Sequence, residues 1–218
     1  MKPSMRRFFV TGTDTGAGKT FVTAAIARRA TAQGQKVFAF KPIETGCELV
    51  DNRLTGPDQE IVCAAAGGWQ TGEQRGVYQL VHPLAPLVAA RAENVQIDLD
   101  RVVGVANSVP DVNLLIVEGA GGWRVPITES DDMSSLAKRL DAKVVIAARA
   151  GLGTINHSLL TIEAVERDGM EIAAVVLSRR PGEELEFARS NRDEIRRCWN
   201  GTVVLFDTDS AVFDELVD

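Results

Sequence analysis

Two lysines, a few carboxylates and a glycine-rich turn carrying hydroxyls are the parts of this chain equipped for chemistry. Gly12-Thr13-Asp14-Thr15-Gly16-Ala17-Gly18-Lys19-Thr20 follows the apolar run Phe8-Phe9-Val10 and leads into a helical pattern. Glycines let backbone N–H groups close around phosphate oxygens. A helix N-terminus adds positive potential, the Lys adds a point charge and the Thr hydroxyl can ligate Mg²⁺. Strand, Gly-rich loop and Lys-Thr opening a helix together read as a phosphate-binding P-loop. The usual pattern has Gly six positions before the Lys. Here that position is Thr13, and Gly12 stands one residue earlier. Asp14 is an anion where phosphates bind, so shaping the loop or orienting a substrate amine suits it better than phosphate contact.

Four more stretches bear on the same chemistry. Leu114-Leu-Ile-Val-Glu118 is an apolar strand that ends on a carboxylate, and Mg²⁺ held between phosphates takes one or two protein carboxylates and a hydroxyl. Asp58 is a candidate second carboxylate, although by itself it reads as a helix-start residue. Lys41, after the apolar run Val37-Phe-Ala-Phe40 and with Thr45 four residues on, can aim at an anion shared with the loop. Gly119-Ala-Gly121-Gly122 permits close approach by a ligand. Gly153-Thr154-Ile155-Asn156 opens a helix whose free N–H groups can hold a carboxylate, or which Thr154 or Asn156 simply caps.

These residues need strand ends and helix starts to hold them. Apolar runs at 6–11, 37–40, 112–118, 143–148, 172–177 and 202–206 read as strands. Helical patterns occupy 19–33, 58–66, 87–93, 99–108, 134–140, the stretch from 156 to about Gly169, and 183–198. Phe21, Val22, Ala25, Ile26 and Ala30 form the apolar stripe of the helix over 19–33, and Asp98 caps the helix over 99–108. Residues 47–57 read as a polar loop, and 68–82 give no clear pattern. Strands alternating with helices, and apolar throughout, predict an α/β fold: a mainly parallel sheet with helices on both faces. No linker or repeat interrupts the chain, so one P-loop domain over residues 1–218 is expected.

Composition narrows the class. The chain has 218 residues, 45% of them hydrophobic, with a net charge of −6, which argues against nucleic acid as a partner. No run approaches membrane-spanning length, and the basic start at residues 1–7 leads into a strand too short for a secretion signal. Cys47, Cys63 and Cys198 are too far apart for a zinc or disulfide framework, and a reducing cytoplasm is the simplest setting. His82 and His157, the two histidines, have no metal partner at ligand spacing.

The motifs together resemble one family. Gly-Thr-Asp-Thr-x-x-Gly-Lys-Thr at 12–20, Lys-Pro-Ile-x-Thr-Gly at 41–46, Val-Glu-Gly-Ala-Gly-Gly-Trp at 117–123 and Gly-x-x-Asn-His at 153–157 are similar, in order and spacing, to those of dethiobiotin synthetase. The displaced Gly12 agrees with that family's longer loop. The resemblance covers about three quarters of the chain. It implies an enzyme that closes the cyclic urea of dethiobiotin from 7,8-diaminononanoate, CO₂ (or bicarbonate) and ATP with Mg²⁺, through a carbamate and a carbamic–phosphoric anhydride. It implies a homodimer with the substrate site at the subunit interface. The implied metal ligands are Thr20, Asp58 and Glu118. Asp14, Thr15, Gly16, Ala17, Gly18, Lys19, Thr20, Glu118, Gly121 and Ser178 match nucleotide-binding positions. Lys19, Lys41 and Thr15 match catalytic ones. Lys41, Thr45, Glu118, Gly121, Gly122, Gly153, Thr154 and Asn156 match substrate positions, the last three reaching the neighbouring subunit. The substrate's apolar chain needs a greasy groove, which 83–87 can help to line.

The last quarter departs from that pattern. Ser178-Arg179-Arg180 stands where the family has Asn for the adenine edge, and 206–209 replaces a Gly-x-x-Pro turn. Phosphate binding does not depend on the base, so relaxed nucleotide choice is expected. A second class shares the loop: dimeric ATPase switches of the partitioning and septum-positioning type. Those carry a signature Lys where this chain has Thr13, and often a basic tail where this one ends in acidic Ser210-Ala-Val-Phe-Asp-Glu-Leu-Val-Asp218. An amide synthase or other carboxylate-activating ligase would account for the loop, but not for Lys41 together with the Gly-Gly-Trp segment.

Overall fold

The computed structural model of the chain describes residues 5–180, 182–207 and 209–218. The first four residues of the basic start, and Thr208 of the turn at 206–209, lie outside them. In chain order the strands and helices are β1 (Arg6–Gly12), α1 (Lys19–Ala32), β2 (Val37–Phe40), β3 (Ile43–Thr45), β4 (Glu48–Val50), β5 (Arg53–Thr55), α2 (Pro57–Ala65), β6 (Tyr78–Leu80), α3 (Pro86–Ala92), α4 (Leu99–Asn107), β7 (Leu114–Gly122), α5 (Met133–Arg139), β8 (Lys143–Arg149), α6 (Thr154–Arg167), β9 (Ile172–Ser178), α7 (Leu185–Cys198), β10 (Val203–Phe206) and α8 (Asp214–Val217).

Six strands form one sheet in the order β10-β9-β8-β1-β7-β2, and every pairing in it is parallel. The apolar runs explain this, because strands buried on both faces need no polar alternation. Successive side chains feed two separate cores. Phe9, Leu115 and Val117 join α3 to α7 on one face; Phe8, Val10, Leu114 and Ile116 join α1, α2 and α8 on the other. The mainly parallel sheet with helices on both faces is therefore as expected. β1 lies between β8 and β7, so the Gly-rich loop after β1 opens beside the ends of both neighbours. Such a crevice at the carboxyl ends of the strands is where open α/β sheets take ligands.

Several expectations change. The polar loop at 47–57 contains an antiparallel hairpin of β4 and β5, turned by Asp51 and Asn52 at φ 49° and 59°. These are residue types that tolerate the left-handed region a tight hairpin requires. The unreadable stretch at 68–82 holds a 3₁₀ turn at Gly72–Gln74 and β6, which pairs in parallel with β3. β7 runs through Gly122 instead of stopping at Glu118, so Gly119 to Gly122 extend a strand. Phe21 is not in the core: it is 40% exposed and stacks on Phe206 at 4.6 Å. The acidic tail folds into a 3₁₀ turn and α8. It is held by buried Phe213 and Val217 and by Arg29, which pairs with Asp214.

Candidate active site

The loop between β1 and α1 is shaped by its own residues. Gly16 and Gly18 take φ of 70° and 93°, where a β-carbon would be strained. Thr15 N–H donates to Asp14 Oδ1 at 2.6 Å, which agrees with a shaping role for that carboxylate. Lys19 is 8% exposed, and its Nζ reaches Asp14 O at 3.4 Å. A β-carbon on Gly12 would stand 3.0 Å from that Nζ and 2.7 Å from Asp14 O, so only Gly fits beneath the lysine. Two arginines that sequence reasoning missed tie down the loop's outer side. Arg149 donates to Thr15 O and Gly16 O at 3.2 and 3.3 Å, and Arg180 to Gly16 O at 3.1 Å. Arg180 lies in the very stretch that departs from the expected pattern; no motif marked Arg149.

The neighbouring strands bring the other charges. Thr20 Oγ1 donates to Glu118 Oε1 at 2.8 Å. Lys41 Nζ is 3.2 Å from the same Oε1 and is also hydrogen-bonded to Asp58 Oδ2. Burial works against the charge on Lys41, but Glu118, Asp58 and Glu44 outweigh it, and the ammonium titrates well above the usual lysine range. Lys19 is pushed the other way by burial, only partly offset by Glu118. A lysine surrounded by carboxylates keeps its proton, and a keenly cationic group suits binding of anions.

Glu118 has a buried second oxygen, Oε2, with no hydrogen-bond partner among the described residues. An orphaned carboxylate oxygen beside a Thr hydroxyl and a second carboxylate is the hard-oxygen donor set that Mg²⁺ takes. Among the described residues no three His, Cys, Asp or Glu gather as a self-sufficient metal cage.

A cleft of about 790 Å³ unites these groups. It is lined by Thr15, Gly16, Gly18, Lys19, Thr20, Lys41, Thr45, Asp58, Glu118 and Gly121, with an apolar wall of Pro83, Leu84, Ala85 and Pro86. Phe21, Ala120 and Val125 also line it and were not anticipated. Other expected residues stand apart. Ser178 is buried, and a β-carbon on Gly18 would lie 3.1 Å from its hydroxyl, so it backs the loop. Thr154 lies in a smaller recess with Thr13, Asp14, Arg149, Leu152 and His157, and its N–H already serves Gly151 O at 3.2 Å. Gly153 takes φ 90° at the start of α6, and Asn156 is exposed on the first turn. The single chain does not bring 153–156 into the large cleft.

A parallel sheet with this loop on its central strand, Lys-Thr opening the helix and a carboxylate on the neighbouring strand define a P-loop nucleotide-binding protein. A family model described as an AAA domain matches residues 6–205. Two solved structures share the fold. Hydrogenase maturation factor HypB from Archaeoglobus fulgidus covers 98% of this chain and 87% of its own, with a TM-score of 0.55 and 14% identity. The septum site-determining protein MinD from Pyrococcus horikoshii, complexed with Mg-ADP, covers 94% and 82%, with a TM-score of 0.57 and 13% identity. At that identity the likeness concerns the fold alone, and it does not favour the switch ATPases. Relatives by sequence are far nearer. An ATP-dependent dethiobiotin synthetase of Anaeromyxobacter dehalogenans is 42% identical over 196 residues, 88% of this chain and 85% of its own. One from Marinobacter nauticus is 37% identical over 177 residues, 78% and 73% of the two chains. The chain belongs to the dethiobiotin synthetase family.

Proposed function

We propose that this cleft carries out the family's reaction: ATP-dependent closure of the cyclic urea of dethiobiotin from 7,8-diaminononanoate and CO₂, releasing ADP and phosphate. The enzyme is an ATP-dependent cyclo-ligase of biotin biosynthesis. The observation that carries the site assignment is the meeting of Lys19, Lys41, Thr20 and Glu118 in one cleft that Pro83 to Pro86 also line.

Bound ATP supplies an activated phosphoryl group, and Mg²⁺ neutralises charge as that group transfers. The chain's own residues do the rest. Asp14 shapes the loop, and Thr15, Gly16, Ala17 and Gly18 present the N–H groups that cradle phosphates, with Lys19 as the fixed cation. Thr20, Asp58 and Glu118 would hold Mg²⁺. Lys41 faces the same centre and draws the carbamate formed from the diamine and CO₂ towards a second anion that would otherwise repel it. The Thr15 and Thr45 hydroxyls are at hand to orient that carbamate, and Gly121 and Gly122 allow close approach. Pro83 to Pro86 shelter the substrate's methylene chain. Ser178 backs the loop at the nucleotide end. Gly153, Thr154 and Asn156 would take the substrate carboxylate of a second copy, so a homodimer is part of the reading. Its support is that these three stand outside their own chain's cleft. The whole chain then acts as one P-loop domain. Three free thiols suit a reducing cytoplasm, and among the described residues no helix is long and apolar enough to cross a membrane.

The test is direct. The protein is incubated with diaminononanoate, bicarbonate and Mg-ATP, and the product is sought by mass. The expected result is the cyclic urea, with ATP turnover that depends on the diamine. Hydrolysis indifferent to the diamine, with no urea formed, would overturn the proposal.

A further inference from the structure

One buried carboxylate has no part in the reaction just described. Glu44 lies in β3 and is 3% exposed. Its Oε1 accepts from Asp58 N–H at 2.9 Å and its Oε2 from Gln59 N–H at 2.8 Å. These are among the first N–H groups of α2, which have no partner within the helix. The residue at the N-cap, Gly56, has no side chain to offer. A carboxylate fourteen residues upstream thus does the work that Asp or Ser does at an ordinary cap, and its charge suits the positive end of the helix.

The arrangement reaches further through Gln59, which is 1% exposed. Its Nε2 donates to Lys41 O at 3.0 Å, and its Oε1 accepts from Gln79 Nε2 at 2.7 Å. The packing leaves no latitude: a β-carbon on Gly56 would overlap Glu44 Oε2, and one on Gly76 would overlap the Gln59 amide. One node therefore holds both the first turn of α2, which carries Asp58, and the backbone at Lys41.

We propose that Glu44 is a positioning residue for the phosphoryl-transfer centre: by capping α2 from β3 it sets Asp58 in register with Lys41 and Glu118. The inference rests on the site reading above and adds a residue to it. Glu44 is not among the residues that line the cleft, and acts through the placement of Asp58.

The experiment uses the full chain with Glu44→Ala and Glu44→Gln. Four quantities are measured: Mn²⁺ affinity of the protein–ADP complex by electron paramagnetic resonance, ADP affinity in EDTA, kcat, and Tm. Residues that orient metal ligands typically change metal affinity or activity by about 10–100-fold. Glu44→Ala is expected to weaken Mn²⁺ binding and lower kcat within that range, while ADP affinity in EDTA stays at the wild-type value, because the phosphate loop belongs to other elements. Glu44→Gln keeps one acceptor for one of the two N–H groups and should fall between. A folded Glu44→Ala with wild-type Mn²⁺ affinity and only a lower Tm would overturn the proposal. So would a loss of ADP affinity in EDTA that matches the loss of Mn²⁺. Should Glu44→Ala fail to fold, Glu44→Gln decides: Mn²⁺ weakened with ADP unchanged supports the proposal, and equality with wild type overturns it. Wild-type protein that binds Mn²⁺ and ADP yet forms no urea would sink the reaction assigned above and leave the Glu44 comparison standing.

Discussion

Thr20 Oγ1 donates to Glu118 Oε1 at 2.8 Å although 98 residues separate them. The contact follows from the sheet. β1 and β7 are parallel neighbours with Val10 opposite Glu118, so the helix start after one comes beside the carboxylate on the other. The bond holds the carboxylate so that Oε1 faces Thr20 and Lys41 and Oε2 is left over. Glu118→Ala should therefore shift Mg²⁺ activation to higher concentration and lower kcat by roughly 10²-fold or more, as loss of a group that stabilises developing charge does. An Mg²⁺ titration checks this, and an unchanged curve would remove Glu118 from the metal site.

Lys19 and Lys41 converge on this centre from different elements, so their losses should differ in kind. Lys19 belongs to the phosphate loop, and Lys19→Gln should abolish measurable turnover. Lys41 sits across the cleft beside Asp58 and Glu118. Lys41→Leu should cost roughly 10²–10³-fold in kcat and little in nucleotide affinity. Equal losses in both quantities would make Lys41 a binding residue only.

Nucleotide choice should be loose. Ser178 stands where the family's base-reading Asn is expected, but its hydroxyl is buried against the loop with no hydrogen-bond partner among the described residues. Phe21 lines the cleft with its ring backed by buried Phe206, and stacking on an aromatic face tolerates any base. Turnover with ATP, CTP and GTP should agree to within about tenfold in kcat/KM, a small difference for a site without a hydrogen-bonding reader. A strict ATP requirement contradicts this.

The thiols should divide by burial. Cys47 and Cys63 are buried and Cys198 is exposed. Burial and the nearby Glu44 push the Cys47 thiol up to about 11, and burial raises Cys63 as well. Only the thiolate reacts readily with disulfide reagents. At pH 8 a chromogenic disulfide should label Cys198 alone in the native protein, and all three cysteines after denaturation. Rapid labelling of a buried thiol in the native state would refute the packing around it.

Asp168 should make stability depend on pH. Burial disfavours its charge, but Trp123 Nε1 at 2.7 Å, Arg124 at 2.9 Å and Lys138 at 3.2 Å outweigh that and hold it below the usual carboxylate range. A carboxyl depressed in the folded state adds stability above its unfolded pKa of about 4, and that stability is lost as pH falls through the folded value. Asp168→Asn should lower Tm at neutral pH, with the gap from wild type closing as pH falls below about 4. A gap of constant size would mean that the charge contributes nothing.

The loop from Gly12 to Thr20, the apolar strand that carries Glu118 and the strand end before Lys41 were readable because each is local. A strand, a turn and a helix start follow one another in the chain, and their residue types state their backbone needs. The C-terminal tail was less legible. Its acidity was plain, but its role as a small apolar clasp on α1 depends on Phe213 and Val217 finding a core built two hundred residues earlier. Phe21 misled for the same reason: its helical spacing matched the core stripe, yet Phe206 from β10 drew it to the rim of the cleft.

What the sequence by itself determined is a Gly-rich P-loop between a strand and a helix, and a parallel α/β frame to carry it. These are written in short contiguous patterns, and the backbone geometry they demand leaves few alternatives. Only the tertiary structure decided which charges share a centre. Glu44 capping α2 under Asp58, Arg149 and Arg180 gripping the loop, and β3 pairing with β6 all join segments distant in the chain. No local spacing announces such contacts, because strand order and packing create them after the chain has closed on itself.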